Sequence, residues 1–108
     1  MKCPEIDVDQ LEKWFLESKE FQLLDVREPQ EYSICRFEQT THEIPMGQLQ
    51  KAFTELQEDK TTVIYCRSGH RSLYATHALY AEGFNNVFNL KGGILAYIQR
   101  FKKNWTTY

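Results

Sequence analysis

Apolar residues recur along this chain in two alternating rhythms. Leu11, Trp14 and Phe15 fall at i, i+3 and i+4, the stripe of an amphipathic helix, with Asp9 placed to cap it. Gln22 to Val26 then reads as a short buried strand, and Pro29 suits the first turn of the helix that follows. His42 to Ile44 predicts a short strand. From Gln48 to Glu58, Leu49, Ala52, Phe53 and Leu56 return to one helical face. Thr62 to Cys66 predicts the central strand, and a helix follows from about Ser72 to Ala81, ended by Gly83 as a left-handed cap. Asn86 to Leu90 is the last core strand, and Ile94 to Phe101 a closing helix. Such alternation predicts an α/β fold, a parallel sheet covered on both faces. In such sheets ligands bind beyond the carboxyl ends of the strands.

Composition narrows the class. The 108 residues are 42% hydrophobic, enough for one core, so residues 1–108 are expected to form a single domain. Its core spans about residues 5–100, followed by a short tail of cations and aromatics (Arg100, Lys102, Lys103, Trp105, Tyr108). No apolar run approaches the roughly 18 residues of a spanning helix. The start, Met1-Lys2-Cys3-Pro4-Glu5, lacks the apolar centre of a signal peptide. A formal net charge of −2 gives no general attraction to nucleic acid or anionic membrane. The three cysteines show neither Cys-x-x-Cys nor zinc-like spacing, and His42 and His77 have no ligand partner in sequence. No metal or cofactor is therefore expected, and the setting is expected to be reducing and cytoplasmic.

One segment concentrates chemistry. Val63-Ile64-Tyr65 delivers Cys66 to a polar turn, Arg67-Ser68-Gly69-His70-Arg71-Ser72, that opens a helix. Cys66 then lies at the carboxyl end of a strand, beneath a helix amino terminus whose N–H groups and dipole favour an anion. Arg67 and Arg71 add two permanent cations, so the setting favours thiolate over thiol. A buried filler cysteine is the competing reading, but it leaves two guanidiniums without a purpose.

These residues resemble a known family. Cys66-Arg67-Ser68-Gly69-His70-Arg71-Ser72 is similar to the active-site loop of rhodanese-type sulfurtransferases. Leu23-Leu24-Asp25-Val26-Arg27-Glu28-Pro29-Gln30-Glu31-Tyr32 resembles the early signature of that family. Gly83-Phe84-Asn85-Asn86-Val87 and Leu90-Lys91-Gly92-Gly93-Ile94-Leu95-Ala96-Tyr97 resemble its closing strand and Gly-Gly turn. The resemblance implies a rhodanese-like fold, a central parallel sheet of about five strands with helices on both faces. Residues 33–45 depart from the pattern: Cys35-Arg36 and Gln39-Thr40 replace a Gly-His and a Gly-Ala, with one residue inserted before Ile44-Pro45.

The implied reaction is sulfur transfer. Cys66 as nucleophile takes the sulfane sulfur of a small donor such as thiosulfate, holds it as a persulfide, and passes it to a thiol or cyanide; a protein thiol is a further candidate acceptor. Ser68, Gly69 and His70 supply backbone N–H groups, Gly69 with an unusual dihedral. Arg71 steadies the loop and the bound anion, and Arg67 reaches outward to a dianionic donor. The mercaptopyruvate-using branch of the family carries a neutral loop here, so the two arginines favour thiosulfate-like donors. Ser72 is expected to cap the following helix. Asp25 and Arg27 support the loop, Arg27 through a structural ion pair.

Other readings compete with this one. Phosphatase and arsenate-reductase loops place five residues between cysteine and arginine, whereas four separate Cys66 from Arg71 here, which disfavours oxyanion chemistry. A sulfur-carrier or persulfide relay, loaded by a partner protein, needs the same loop. A non-catalytic interaction module would not need Cys66 with both arginines. Cys35 is read as a small buried filler rather than a relay thiol, and Cys3 as exposed and incidental. Gly92 and Gly93 are read as a tight turn, since no lysine-serine signature follows them.

Overall fold

The computed structural model describes residues 4–108. Five parallel strands form one sheet: β1 (Glu5–Ile6), β2 (Gln22–Asp25), β3 (His42–Glu43), β4 (Thr62–Tyr65) and β5 (Val87–Leu90), in the order β1-β5-β4-β2-β3. The central strands β2 and β4 are buried throughout, with Leu23 beside Val63 and Leu24 beside Ile64 across their register. Successive residues alternate faces. Leu23, Val63 and Tyr65 join a cluster with Leu11, Ile94, Tyr97 and Ile98, which belongs to α1 (Val8–Leu16) and α5 (Gly93–Arg100). Leu24, Ile64 and Cys66 join Ala52, Ala75 and Leu79, from α3 (Ala52–Glu55) and α4 (His70–Ala81). A short helix α2 (Pro29–Tyr32) follows β2, with Glu28 and Glu31 forming a reciprocal capping box around Pro29. The sheet thus carries helices on both faces.

Several boundaries differ from the sequence expectation. Asp7, not Asp9, caps α1: its side chain accepts from the Gln10 N–H at 2.8 Å, and Val8 is already buried in the core. The expected helix from Gln48 to Glu58 is a 3₁₀ segment (Met46–Lys51) kinked at Gln48, continued by the short α3 and stopped by an extended Leu56. α4 begins at His70 rather than near Ser72. Gly83 does follow α4 in a left-handed conformation (φ 104°). β1 was not legible at all, because two residues carry no periodicity; its pairing with β5 defines it. Among the described residues no helix is long and apolar enough to cross a membrane.

Candidate active site

Cys66 is the first residue beyond β4, and the strand's alternation turns it to the same face as Ile64, under α4. It is 1% exposed. An anionic sulfur at that depth is tolerable only with hydrogen-bond donors around it, and the chain supplies them. The Gly69 N–H points at Sγ from 3.1 Å, the Ser72 N–H from 3.4 Å, and the Ser72 hydroxyl lies 3.3 Å away. Ser72 is therefore not a helix cap. It is buried in the first turn of α4, and its hydroxyl faces the sulfur; the capping position falls to Gly69 instead.

The loop can curl this tightly because Gly69 takes φ 101°, a region that L side chains rarely adopt. Its shape is then clamped from α5. Gly93 packs so closely beneath the loop that a Cβ there would collide with the Arg67 carbonyl and stand 2.7 Å from that of Cys66. With that space open, the Ile94 and Leu95 N–H groups donate to the Cys66 and Arg67 carbonyls at 3.0 and 3.1 Å. The Gly92–Gly93 turn thus works as a socket for the cysteine loop. From β5, the buried Asn89 carboxamide donates to the Gly69 carbonyl at 3.3 Å. Ser68 and His70 are exposed, with side chains 3.5 Å apart.

Both loop arginines already have partners. Arg71 makes a forked pair with Glu31 of α2, at 2.8 and 2.9 Å. Arg67 does not reach outward to solvent as expected. Its Nε donates to the main-chain oxygen of Tyr108 at 2.6 Å, Nη2 donates to the same atom, and its guanidinium lies 5.0 Å from the centre of the Tyr108 ring. The Tyr108 hydroxyl donates to Glu31 at 2.7 Å and accepts from Arg27 Nη1 at 2.9 Å. Burial, then the Glu31 contact, raise the phenol above its ordinary value, so it stays a donor. Arg27 itself is fully buried, forked onto Asp25 and donating to the Cys35 carbonyl at 2.7 Å.

The Arg71 hydrogen bonds hold the Glu31 carboxyl down at about 2; burial opposes this, and the Tyr108 hydroxyl and Glu28 N–H reinforce it. A depressed folded-state value contributes stability above the unfolded value, 4.5, that is lost as pH falls through about 2. We expect native protein to be more stable than Glu31→Gln near neutral pH, with the difference shrinking as pH falls from 4.5 toward 2. Urea melts across that range read it directly, and a difference independent of pH would contradict the Arg71–Glu31 link.

The structure thus gathers Cys66, Gly69, Ser72 and Arg71 into one cradle, with Asp25 and Arg27 behind it. Sequence reasoning missed three contributors: Glu31, Tyr108 and Asn89. Glu31 stands within the Leu23–Tyr32 motif, but no local spacing points to its pairing with Arg71 forty residues on. Tyr108 has no local signal, since its partners lie far back in the chain. Cys35 is a buried member of the α1–α5 core, and Cys3 lies outside the described residues.

The family model for the rhodanese-like domain matches residues 7–100. This chain belongs to that family. The match spans β2 to β5 and the Cys66 loop and stops before residues 101–108. The chain is 34% identical over 93 residues to a sulfurtransferase from Allochromatium vinosum, covering 86% of both chains. It is 33% identical over 91 residues to the putative sulfur carrier protein YrkF of Bacillus subtilis, covering 84% of this chain and 49% of that one. Against its longer relatives the chain spans between about a quarter and a half of their length. A solved rhodanese-related protein from Thermoplasma volcanium superposes with a TM-score of 0.80 at 29% identity, covering 90% of this chain and 92% of the other.

Proposed function

We propose that the chain is a sulfurtransferase that carries a sulfane sulfur on Cys66 as a persulfide. The observation that supports this most is the set of donors aimed at one buried sulfur, two N–H groups and a hydroxyl, at a strand end beneath a helix. In the first step the thiolate attacks the outer sulfur of a thiosulfate-like donor. The new S–S bond forms as the donor's own S–S bond breaks, and the electron pair leaves with sulfite. The outer persulfide sulfur then carries the charge, and preorganised N–H groups in a dry site stabilise it. In the second step a thiolate or cyanide attacks that outer sulfur, the Cys66–sulfur bond breaks, and the Cys66 thiolate returns. Both steps balance without a metal or an organic cofactor.

Residues 1–108 act on this reading as one domain, in a cytoplasmic setting consistent with the unpaired Cys35 and Cys66. The similarity to chains named sulfurtransferase and sulfur carrier supports sulfur transfer as the general chemistry. A second reading, a carrier loaded by a persulfidated partner protein, is favoured by one observation. Arg67 and Arg71 are both held by groups of the chain itself, which weakens their pull on a free dianion.

Steady-state kinetics test the proposal. With thiosulfate and a small thiol or cyanide varied together, we expect parallel double-reciprocal lines, the mark of a covalent intermediate between two half-reactions. Intersecting lines would contradict it. Turnover with a persulfidated protein but not with thiosulfate would establish the carrier reading instead.

A further inference from the structure

The tail beyond α5 is built into the site. The Lys103 N–H bonds back to the Ile98 carbonyl at 3.0 Å, turning the chain after the helix. Trp105 then stacks on Tyr97, with centroids 5.8 Å apart, and meets Phe37 edge-on at 6.0 Å. That anchor brings Tyr108 to Arg67, to Arg27 and to the Glu31 that pairs with Arg71. Its main-chain oxygen takes two hydrogen bonds from Arg67, its ring lies over the same guanidinium, and its hydroxyl bridges Arg27 to the Glu31 that holds Arg71.

We propose that Tyr108 is a specificity-determining residue: it occupies Arg67, so a small dianionic sulfur donor must displace it to use that cation. The inference rests on the sulfur-transfer reading and deepens it by assigning the donor preference to a residue outside the family's matched region. The chemistry is competitive. The guanidinium presents a planar fork that suits a carboxylate, a sulfonate-like oxyanion or a carbonyl oxygen, and Tyr108 fills that fork with its main-chain oxygen. A dianion reaches the Arg67 fork only by displacing this contact, at a cost in affinity. A donor whose sulfane sulfur arrives on another protein brings its own contacts and has no need of Arg67. Tyr108 thereby biases the site against free small dianions.

The test separates anion binding from sulfur transfer by using thiosulfate as the probe and a Cys66→Ala background that cannot react. Affinity is read from the shifts of the Gly69 and His70 amide signals on titration. Adding Tyr108→Ala removes the ring over Arg67 and the hydroxyl bridge that hold the main-chain oxygen in the fork, and is expected to tighten thiosulfate binding roughly three- to tenfold. Tyr108→Phe, which keeps the ring over Arg67 and loses only the hydroxyl bridge, is expected to move affinity the same way by less. With Arg67→Ala also present, the gain from Tyr108→Ala should fall below about twofold, since coupled residues are non-additive. An unchanged affinity in both Tyr108 variants, a gain of equal size without Arg67, or no saturable binding in any variant would each overturn the proposal. None of these outcomes depends on persulfide formation. Failure of native protein to accept sulfur would instead count against the sulfur-transfer reading.

Discussion

Cys66→Ala is expected to take up no sulfur from any donor while keeping its fold. The two halves of that expectation have separate causes. Sulfur loading needs a sulfur nucleophile under the Gly69 and Ser72 N–H groups, and no other described cysteine stands there: Cys35 lies in the α1–α5 core. The loop's shape depends little on the thiol. It is held by the Ile94 and Leu95 N–H groups, by Asn89, and by the close packing of Gly93, all of which touch the main chain. Removing one buried sulfur should cost about 1–2 kcal/mol, within the ordinary range for a single substitution. Circular dichroism and a melting curve, measured beside donor loading, check both halves. Retained loading would displace Cys66 from its role, and an unfolded variant would show that the thiol holds the loop together.

Arg27→Ala should give the largest loss of stability of any single change considered. Arg27 and Asp25 are both fully buried, joined by Nε and Nη2 contacts of 2.9–3.1 Å. Deleting one member strands the other's charge in the interior, which costs about 3–5 kcal/mol. Against a total of roughly 5–15 kcal/mol for a small domain, that is a large share. At about 4–8 °C per kcal/mol, Tm should fall by more than about 12 °C. The same change frees the Cys35 carbonyl and takes a partner from Tyr108, so residues 33–37 and the tail loosen together. The double change Asp25→Leu with Arg27→Met should cost clearly less than the sum of the single changes, because no charge is then left unpaired. Additive losses would mean that the pair is not what holds this end of β2.

The regions that proved legible in the sequence are those whose physics is local. β2, β4 and β5 announce themselves through short apolar runs, and α5 through its stripe of Ile94, Tyr97 and Ile98. The cysteine loop was legible because a strand, a glycine and a helix start follow one another within a few residues. Boundaries were less so. Asp7 and Asp9 are equally good caps in isolation, and only the burial of Val8 selects the earlier one. Serine commonly caps helices, so the sequence suggests Ser72 as a cap; in the structure Gly69 takes that place three residues earlier, and the Ser72 hydroxyl faces Cys66. The destination of the arginines was not legible at all. Arg71 finds Glu31 and Arg67 finds Tyr108 across about 40 residues of chain, and no spacing rule spans that distance. Two cations beside a cysteine suggested an open anion site. The folded chain shows both already engaged, and that difference turns the donor into the central question.

The most direct test of the account is the intact mass of native protein after brief exposure to thiosulfate, and separately to a persulfidated protein, followed by addition of cyanide. We expect the gain of one sulfur atom on native protein with at least one of the two donors, its absence in Cys66→Ala, and its removal by cyanide with return to the starting mass. No gain with either donor, or an equal gain in the Cys66→Ala variant, would contradict a persulfide carried on Cys66.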